Sequence, residues 1–232
     1  SEGIYLNVPD WYMLSGSNKT GIGYKEVNWS LPRPRQVMLG RQNIYDGTWE
    51  KIPSMGWTFC PLTQYHTVKE YPPEVATIEP LSEHLDHYER MLVQNLGSGV
   101  QACYRGKRLY DTEETKQMVK EWVDWYKKYR GILEADIIHI RRPDGRDIDG
   151  ILHVDPKGGC NGIKGLAIFY NPLNHTRKRI IKVPLYYTGL KNAARVLEKD
   201  DGTENIHEID EEFTMLLEIT VPALGFNWYI IK

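Results

Sequence analysis

The hydrophobic pattern of this chain changes its period near residue 135, and that change restricts its fold more than any other feature. Up to residue 133, strand-like runs alternate with helix-like ones. Ile4–Val8 reads as a buried strand closed by Pro9 and Asp10. Pro32 and Pro34 are placed to open a helix at its first turn, running to about Tyr45 and stopped at Gly47. Met55–Cys60 reads as a second strand. Behind it, Leu85, Tyr88, Met91, Leu92 and Leu96 recur at helical spacing, with Ser82 as the expected N-cap and Gly97 as the stop. Gly99–Tyr104 reads as a third strand. Asp111 and Glu114 match a capping box opening a helix that carries Met118, Trp122, Trp125, Tyr126 and Tyr129 on one side and stops at Gly131.

Strand–helix alternation of this kind predicts parallel βαβ units. A closed (β/α)8 barrel needs about 250 residues, and only three units fit here. From Asp136 onward the helical period disappears. Ile137–Arg141, Ile151–Val154, Gly165–Tyr170, Arg179–Leu185, Ala194–Glu198, Glu212–Val221 and Phe226–Ile231 read as strands separated by Gly, Pro and Asn clusters, the pattern of an antiparallel sandwich. The expected fold is therefore α/β plus all-β: the C-terminal part of a (β/α)8 barrel in residues 1–134, then a β-sandwich in residues 135–232. Aromatic residues divide the same way, with six of the seven Trp and eleven of the fifteen Tyr before residue 134.

Charge is nearly balanced, 29 basic against 31 acidic residues, so nucleic acid is not an expected partner. No apolar run approaches the roughly 20 residues of a spanning helix, and no membrane partner is expected. Ser1-Glu2-Gly3 runs at once into a strand pattern with no signal peptide, which reads as a truncated or processed chain; the compartment stays open, the bacterial periplasm or secretion being compatible. Cys60, Cys103 and Cys160 form no C-x-x-C pair, and Cys60 and Cys103 read as core thiols. No cofactor and no metal are expected. His84 and His87 lie three apart without a further ligand, and Asp144, Asp147 and Asp149 read as a hairpin turn rather than a calcium loop. Gly21 and Gly23 lack the rest of a nucleotide fingerprint. Asn18, Asn28 and Asn174 begin glycosylation sequons, relevant only to a secreted eukaryotic chain.

In barrels of this kind, chemistry sits where strands end and loops begin. After the first strand come Asp10, Trp11 and Tyr12, then Lys19, Glu26 and Trp29. A carboxylate among Trp and Tyr suits sugars, whose C–H faces stack on rings and whose hydroxyls hydrogen-bond to carboxylates. The alternative is a loop whose Trp residues plug the barrel mouth. Trp49 and Trp57 are candidates for a pocket wall, with Asp46-Gly47 reading as a turn. His66 follows the second strand, where a hydrogen-bonded structural role is the alternative. Tyr104 and Arg105 end the third strand; Arg105 suits clamping a hydroxyl, or simply pairing with Asp111.

The stretches 3–12, 28–33, 41–49 and 53–57 resemble a group of bacterial α-galactosidase-like glycoside hydrolases, as do 101–106 and 138–146. The resemblance implies a (β/α)8 catalytic domain with a C-terminal sandwich, an oligosaccharide or polysaccharide substrate and hydrolysis of an α-glycosidic bond by two carboxylates. It places the nucleophilic Asp on a strand before Ser1 and the acid/base in the loop before the Pro32 helix, with Glu26 the first choice and Asp10 the second. Trp11, Tyr12, Lys19, Trp29, Trp49, Trp57, His66, Tyr104 and Arg105 are the expected substrate contacts. It also implies that the chain alone is inactive and that its partner is the missing N-terminal part of the same protein. The alternatives are a non-catalytic carbohydrate-binding protein, and a scaffold whose β domain docks other subunits.

Overall fold

A computed structural model describes residues 24–25, 33–48, 57–61, 79–99, 101–200 and 202–232. The chain forms two compact units, Ser1–Lys128 and Tyr129–Lys232.

In the first unit, three strands lie side by side in the order β1 (Tyr24–Lys25), β2 (Trp57–Pro61), β3 (Gln101–Arg105), all parallel. Parallel neighbours need a crossover, and the crossovers here are helical: α1 (Arg33–Thr48) between β1 and β2, and α2 (Leu85–Leu96) between β2 and β3. A third helix, α3 (Glu113–Leu133), follows β3. Among the described residues the sheet does not close into a barrel. The expected strand at Ile4–Val8 lies outside the described residues.

The helices are held by a shared apolar cluster. Leu81, Tyr88, Met91, Leu92 and Met118 are buried together, with Val37, Leu85, Tyr104, Val119 and Trp122 packed against them. Each such side chain contributes roughly 1.5–3 kcal/mol of burial. Trp125 is buried as well and meets Trp122 edge to face at 5.5 Å.

Several expected boundaries move, for identifiable reasons. The first helix does not stop at an Asp46-Gly47 turn: it runs through both to Thr48, whose hydroxyl donates to the Ile44 carbonyl at 2.7 Å. Ser82 does not cap α2. It sits inside a 3-10 turn, Leu81–His84, that leads into the helix. The other end of α2 falls where expected, with Gly97 as the C-cap after Leu96; Gly97 is itself right-handed (φ −68°), and the left-handed residue is Gly99 (φ 64°), where the absence of a Cβ is what the conformation requires. At α3 the cap is Thr112 rather than Asp111: the Thr115 amide donates to the Thr112 hydroxyl at 3.2 Å. Gly131 does not stop α3, which continues to Leu133 because Ile132 and Leu133 are fully buried.

The second unit is an antiparallel sandwich. Its larger sheet has the order β4 (Asp136–Arg141), β5 (Asp149–Val154), β6 (Gly165–Tyr170), β11 (Phe226–Ile231), β8 (Ala193–Glu198), β9 (Glu204–Glu208). The smaller pairs β7 (Arg177–Pro184) with β10 (Thr214–Val221). Strand β10 shows why they stack: Met215, Leu217, Ile219 and Val221 are buried while Leu216, Glu218 and Thr220 are exposed, the two-residue alternation of a strand with one wet face. The inward residues join Leu152, Ala167, Phe169, Val196, Tyr229 and Ile231 of the larger sheet in one core. On that sheet's other face, Tyr129 at the end of α3 meets Trp228 edge to face at 5.2 Å and donates its hydroxyl to Asp200.

Candidate functional site

β2 and β3 end level with each other, Pro61 in register with Arg105. Loops leaving the C-terminal ends of parallel strands are where ligands bind in α/β folds. Glu26 follows β1 directly in sequence and lies outside the described residues, as do Asp10, Trp11, Tyr12, Lys19, Trp29, Trp49 and His66. Of the remaining candidates, Arg105 is the last residue of β3 and stands at the loop edge. Trp57 is the first residue of β2, four residues before that edge, which puts its backbone roughly 13 Å from it. The half-buried Tyr104 turns its ring into the cluster formed by Leu81, Tyr88, Met91, Leu92 and Met118.

The described part of the edge is built from two connections, Glu79–His84 entering α2 and Gly106–Thr112 entering α3. They run side by side and are joined by two polar contacts, with a third from Tyr88 on α2. Arg108 donates through Nε to Glu79 Oε1 at 3.0 Å, and its Nη2 completes an ion pair with the same oxygen. The Ser82 amide and hydroxyl both donate to Asp111 Oδ2, at 3.1 and 3.2 Å. The Tyr88 hydroxyl donates to the Leu109 carbonyl at 2.9 Å. Asp111 also accepts from the Thr115 hydroxyl at 2.8 Å. Partial burial pushes the Asp111 carboxyl up, but the hydrogen bonds from Ser82 and Thr115 outweigh it and hold the group below the usual carboxylate range. With the loops tied underneath, Lys107, Leu109 and Tyr110 are left exposed on the rim, Tyr110 at 49%.

The rim thus offers an exposed ring, a guanidinium–carboxylate pair and a flexible ammonium. These are groups that stack on C–H faces and hydrogen-bond hydroxyls. Glu79, Arg108 and Tyr110 carry no periodic signal in the sequence; only their positions in successive strand-to-helix connections point to them. The tie itself is testable. Asp111→Ala should cost about 1–3 kcal/mol and accelerate hydrogen exchange at the Ser82 amide, whose acceptor it removes. Unchanged exchange there would show that Asp111 does not hold the loops together.

Other motifs resolve into structural roles. Asp144 and Asp147 occupy the turn between β4 and β5, and both are occupied by cationic side chains: Arg141 with Asp144 at 2.8 Å, and Arg141, Arg177 and Arg179 with Asp147 at 3.1–3.4 Å. Among the described residues no group of three or more His, Cys, Asp or Glu side chains could hold a metal ion. Cys160 is buried. No described helix is long and apolar enough to cross a membrane.

No family model matches the sequence, and no curated protein matches it. Its fold does match solved structures. The galactosidase domain of an α-galactosidase–sucrose kinase superposes with a TM-score of 0.53 at 13% identity, covering 84% of this chain and 24% of that one. A GH36 α-galactosidase from Geobacillus stearothermophilus gives 0.53 at 14% identity, with the same coverages. A GH27 β-L-arabinopyranosidase from that organism, in complex with arabinose, gives 0.52 at 8% identity, covering 91% and 45%. The chain thus shares the fold of part of these glycoside hydrolases. It spans about a quarter of the length of the α-galactosidases it matches.

Proposed function

We propose that this chain is the C-terminal portion of a glycoside hydrolase that cleaves an α-glycosidic bond, with domain limits at residues 134 and 135. The observation that carries the reading is the order of its two units: parallel strand–helix units followed by an antiparallel sandwich, superposable on the α-galactosidases. In this reading the segment between Val8 and the Pro32 helix supplies the general acid, Glu26 before Asp10, which protonates the leaving oxygen and then activates water. The nucleophile belongs to a strand N-terminal to Ser1. Trp11, Tyr12, Lys19, Trp29, Trp49, His66 and Arg105 form the sugar-binding surroundings, with Tyr110 and Arg108 added from the rim; Tyr104, packed into the helix cluster, and Trp57, at the opposite end of β2, are left out.

The test is turnover of 4-nitrophenyl α-galactoside. The 232-residue chain alone should release no nitrophenol. Extended at its N-terminus by the coding sequence upstream of Ser1, it should turn over, and Glu26→Gln should reduce the rate roughly a hundredfold or more. Full activity of the short chain would overturn the partial-site reading. An extended protein that binds galactosides without cleaving them would replace hydrolysis with binding. Equal rates for wild type, Glu26→Gln and Asp10→Asn would remove both from the acid/base role.

A further inference from the structure

The second unit carries an aromatic cluster that its core does not use. Tyr186 and Tyr187 occupy a 3-10 turn after β7 and are 62% and 61% exposed. Tyr186 is the hub: its ring meets Tyr187 at 5.1 Å and Phe213 at 5.3 Å, both at 87°. Edge-to-face packing at near right angles fixes each ring against its neighbour and leaves ring faces open to solvent.

The backbone beneath is rigidly built. Gly189 closes the tyrosine turn at φ 76°, and the Thr188 hydroxyl donates to the Leu185 carbonyl at 2.6 Å. Phe213 sits at φ 57°, a left-handed conformation unusual for a bulky residue. It is held by the turn that Asp210 organises: Asp210 accepts from the Glu212 amide, the Thr214 amide and the Thr214 hydroxyl at 3.1, 2.8 and 2.6 Å. The Leu185 amide donates to the Phe213 carbonyl at 2.7 Å, joining the two turns. Rings fixed in advance lose little freedom on meeting a ligand.

We infer that Tyr186, Tyr187 and Phe213 form an accessory platform that binds a neutral glycan by stacking. The choice of a glycan rests on the sugar-directed reading of the first unit. Three features of the platform itself favour it over a protein. The two exposed rings are tyrosines, whose hydroxyls suit sugar hydroxyls as their faces suit sugar C–H groups. Two exposed rings fall far short of the roughly 800 Å² a protein partner covers. The exposed apolar side chains along the strands are broken up by charge: Ile180 lies opposite Glu218 and Leu216 opposite Lys182, and both charged residues are engaged in ion pairs, with Lys178 and Glu212. Asp210, Glu211 and Glu212 nearby favour a neutral rather than an anionic sugar.

The test is native electrophoresis of the 232-residue chain in gels containing galactomannan or soluble starch. Wild type should be retarded in at least one. Tyr186→Ala/Tyr187→Ala should lose the retardation, raising the apparent Kd about tenfold or more, about 1.4 kcal/mol. Tyr186→Phe/Tyr187→Phe, which keeps the stacking faces, should retain most of it, so that loss with alanine is not mistaken for misfolding. Tyr110→Ala, in the sugar-binding surroundings of the first unit, should not by itself abolish the retardation, because the platform still binds. No retardation of wild type, or retardation unaffected by the alanine pair, overturns the platform. Loss with Tyr110→Ala alone also overturns it while leaving the reading of the first unit standing. Concentration-dependent dimerisation abolished by the alanine pair would assign these rings to self-association instead. Turnover of the extended protein decides the first unit independently.

Discussion

Phe169→Ala should open the larger sheet of the sandwich at a cost of about 3–5 kcal/mol. Phe169 stands at the middle of that sheet, 1% exposed, on β6 between β5 and β11. Its ring meets Tyr229 edge to face at 6.0 Å and lies over Gly150, its cross-strand partner. A Cβ placed on Gly150 would come within 2.5 Å of Phe169 Cδ1 and 2.8 Å of the Ile168 carbonyl oxygen. The glycine thus makes the floor on which the ring rests. Removing the ring leaves a cavity lined by residues of two sheets, which cannot collapse together without breaking their strand registers. Gly150→Ala should fail for the opposite reason, through overpacking, by about 1–3 kcal/mol. The two effects share one space, so they should not add: Gly150→Ala should cost less in a Phe169→Leu background than in wild type. Hydrogen exchange at the β5 and β6 amides is the suitable readout, because it reports opening of this sheet rather than of the whole chain. An acceleration of about 10²–10⁴-fold for Phe169→Ala is expected; less than tenfold would show that the ring is not central to the core.

The sandwich was legible because its strands advertise themselves locally. Gly165–Tyr170 and Phe226–Ile231 are apolar runs bounded by turn residues, and both form strands with those limits. Strand β9 was missed because Glu204-Asn205-Ile206-His207-Glu208 lies at the sheet's edge, where exposure removes the apolar alternation. Strand order was not legible at all. The pairing of β11 between β6 and β8 joins residues far apart in sequence, and no local pattern encodes it. The same limit applies at the rim of the first unit. Ser82 and Asp111 looked like helix caps because their side chains suit that task, yet each found its partner in the other, 29 residues away. Glu79 and Arg108, also 29 apart, carry no motif. A side chain that satisfies a neighbouring loop cannot be told from one that satisfies its own helix until the two loops are known to run side by side. Asp10, Trp11, Tyr12, Lys19, Glu26 and Trp29, on either side of β1, lie outside the described residues.

Asp147→Ala should be the most damaging loss of a single charge in the second unit, about 2–3 kcal/mol. Arg177 and Arg179 occupy alternate positions on β7, on the side that further along places Ile181 and Val183 in the core. Two arginines on the inward side of a strand are an unfavourable arrangement unless an anion meets them. Asp147 does so from the turn between β4 and β5, at 3.4 and 3.1 Å, and Arg141 adds a third cation at 3.2 Å. Its Oδ1 also accepts from the Ile148 amide at 2.9 Å. One carboxylate therefore ties the larger sheet to the smaller while neutralising three guanidinium groups. Removing it leaves like charges crowded together, which is why the expected cost exceeds that of an exposed ion pair. Partial burial pushes the Asp147 carboxyl up, but the Ile148 amide and the Arg179 and Arg141 guanidinium groups outweigh it and hold the group below the usual carboxylate range. The sign of the pH dependence follows. In the unfolded chain this carboxyl titrates near its ordinary value, about 3.9. Its stabilisation is therefore complete above that value and disappears as the pH falls through the lower folded one. Asp144, Asp155 and Asp210 are also held low by hydrogen bonds, so wild type and variant will both weaken in acid. The diagnostic quantity is the difference between wild type and Asp147→Asn, which keeps the shape and removes the charge. Urea midpoints measured from pH 7 down to pH 2.5 should show that difference constant above about pH 5 and shrinking below about pH 4. A difference that persists unchanged at pH 2.5 would mean that Asp147 acts through its shape and hydrogen bonds, with its charge making no contribution.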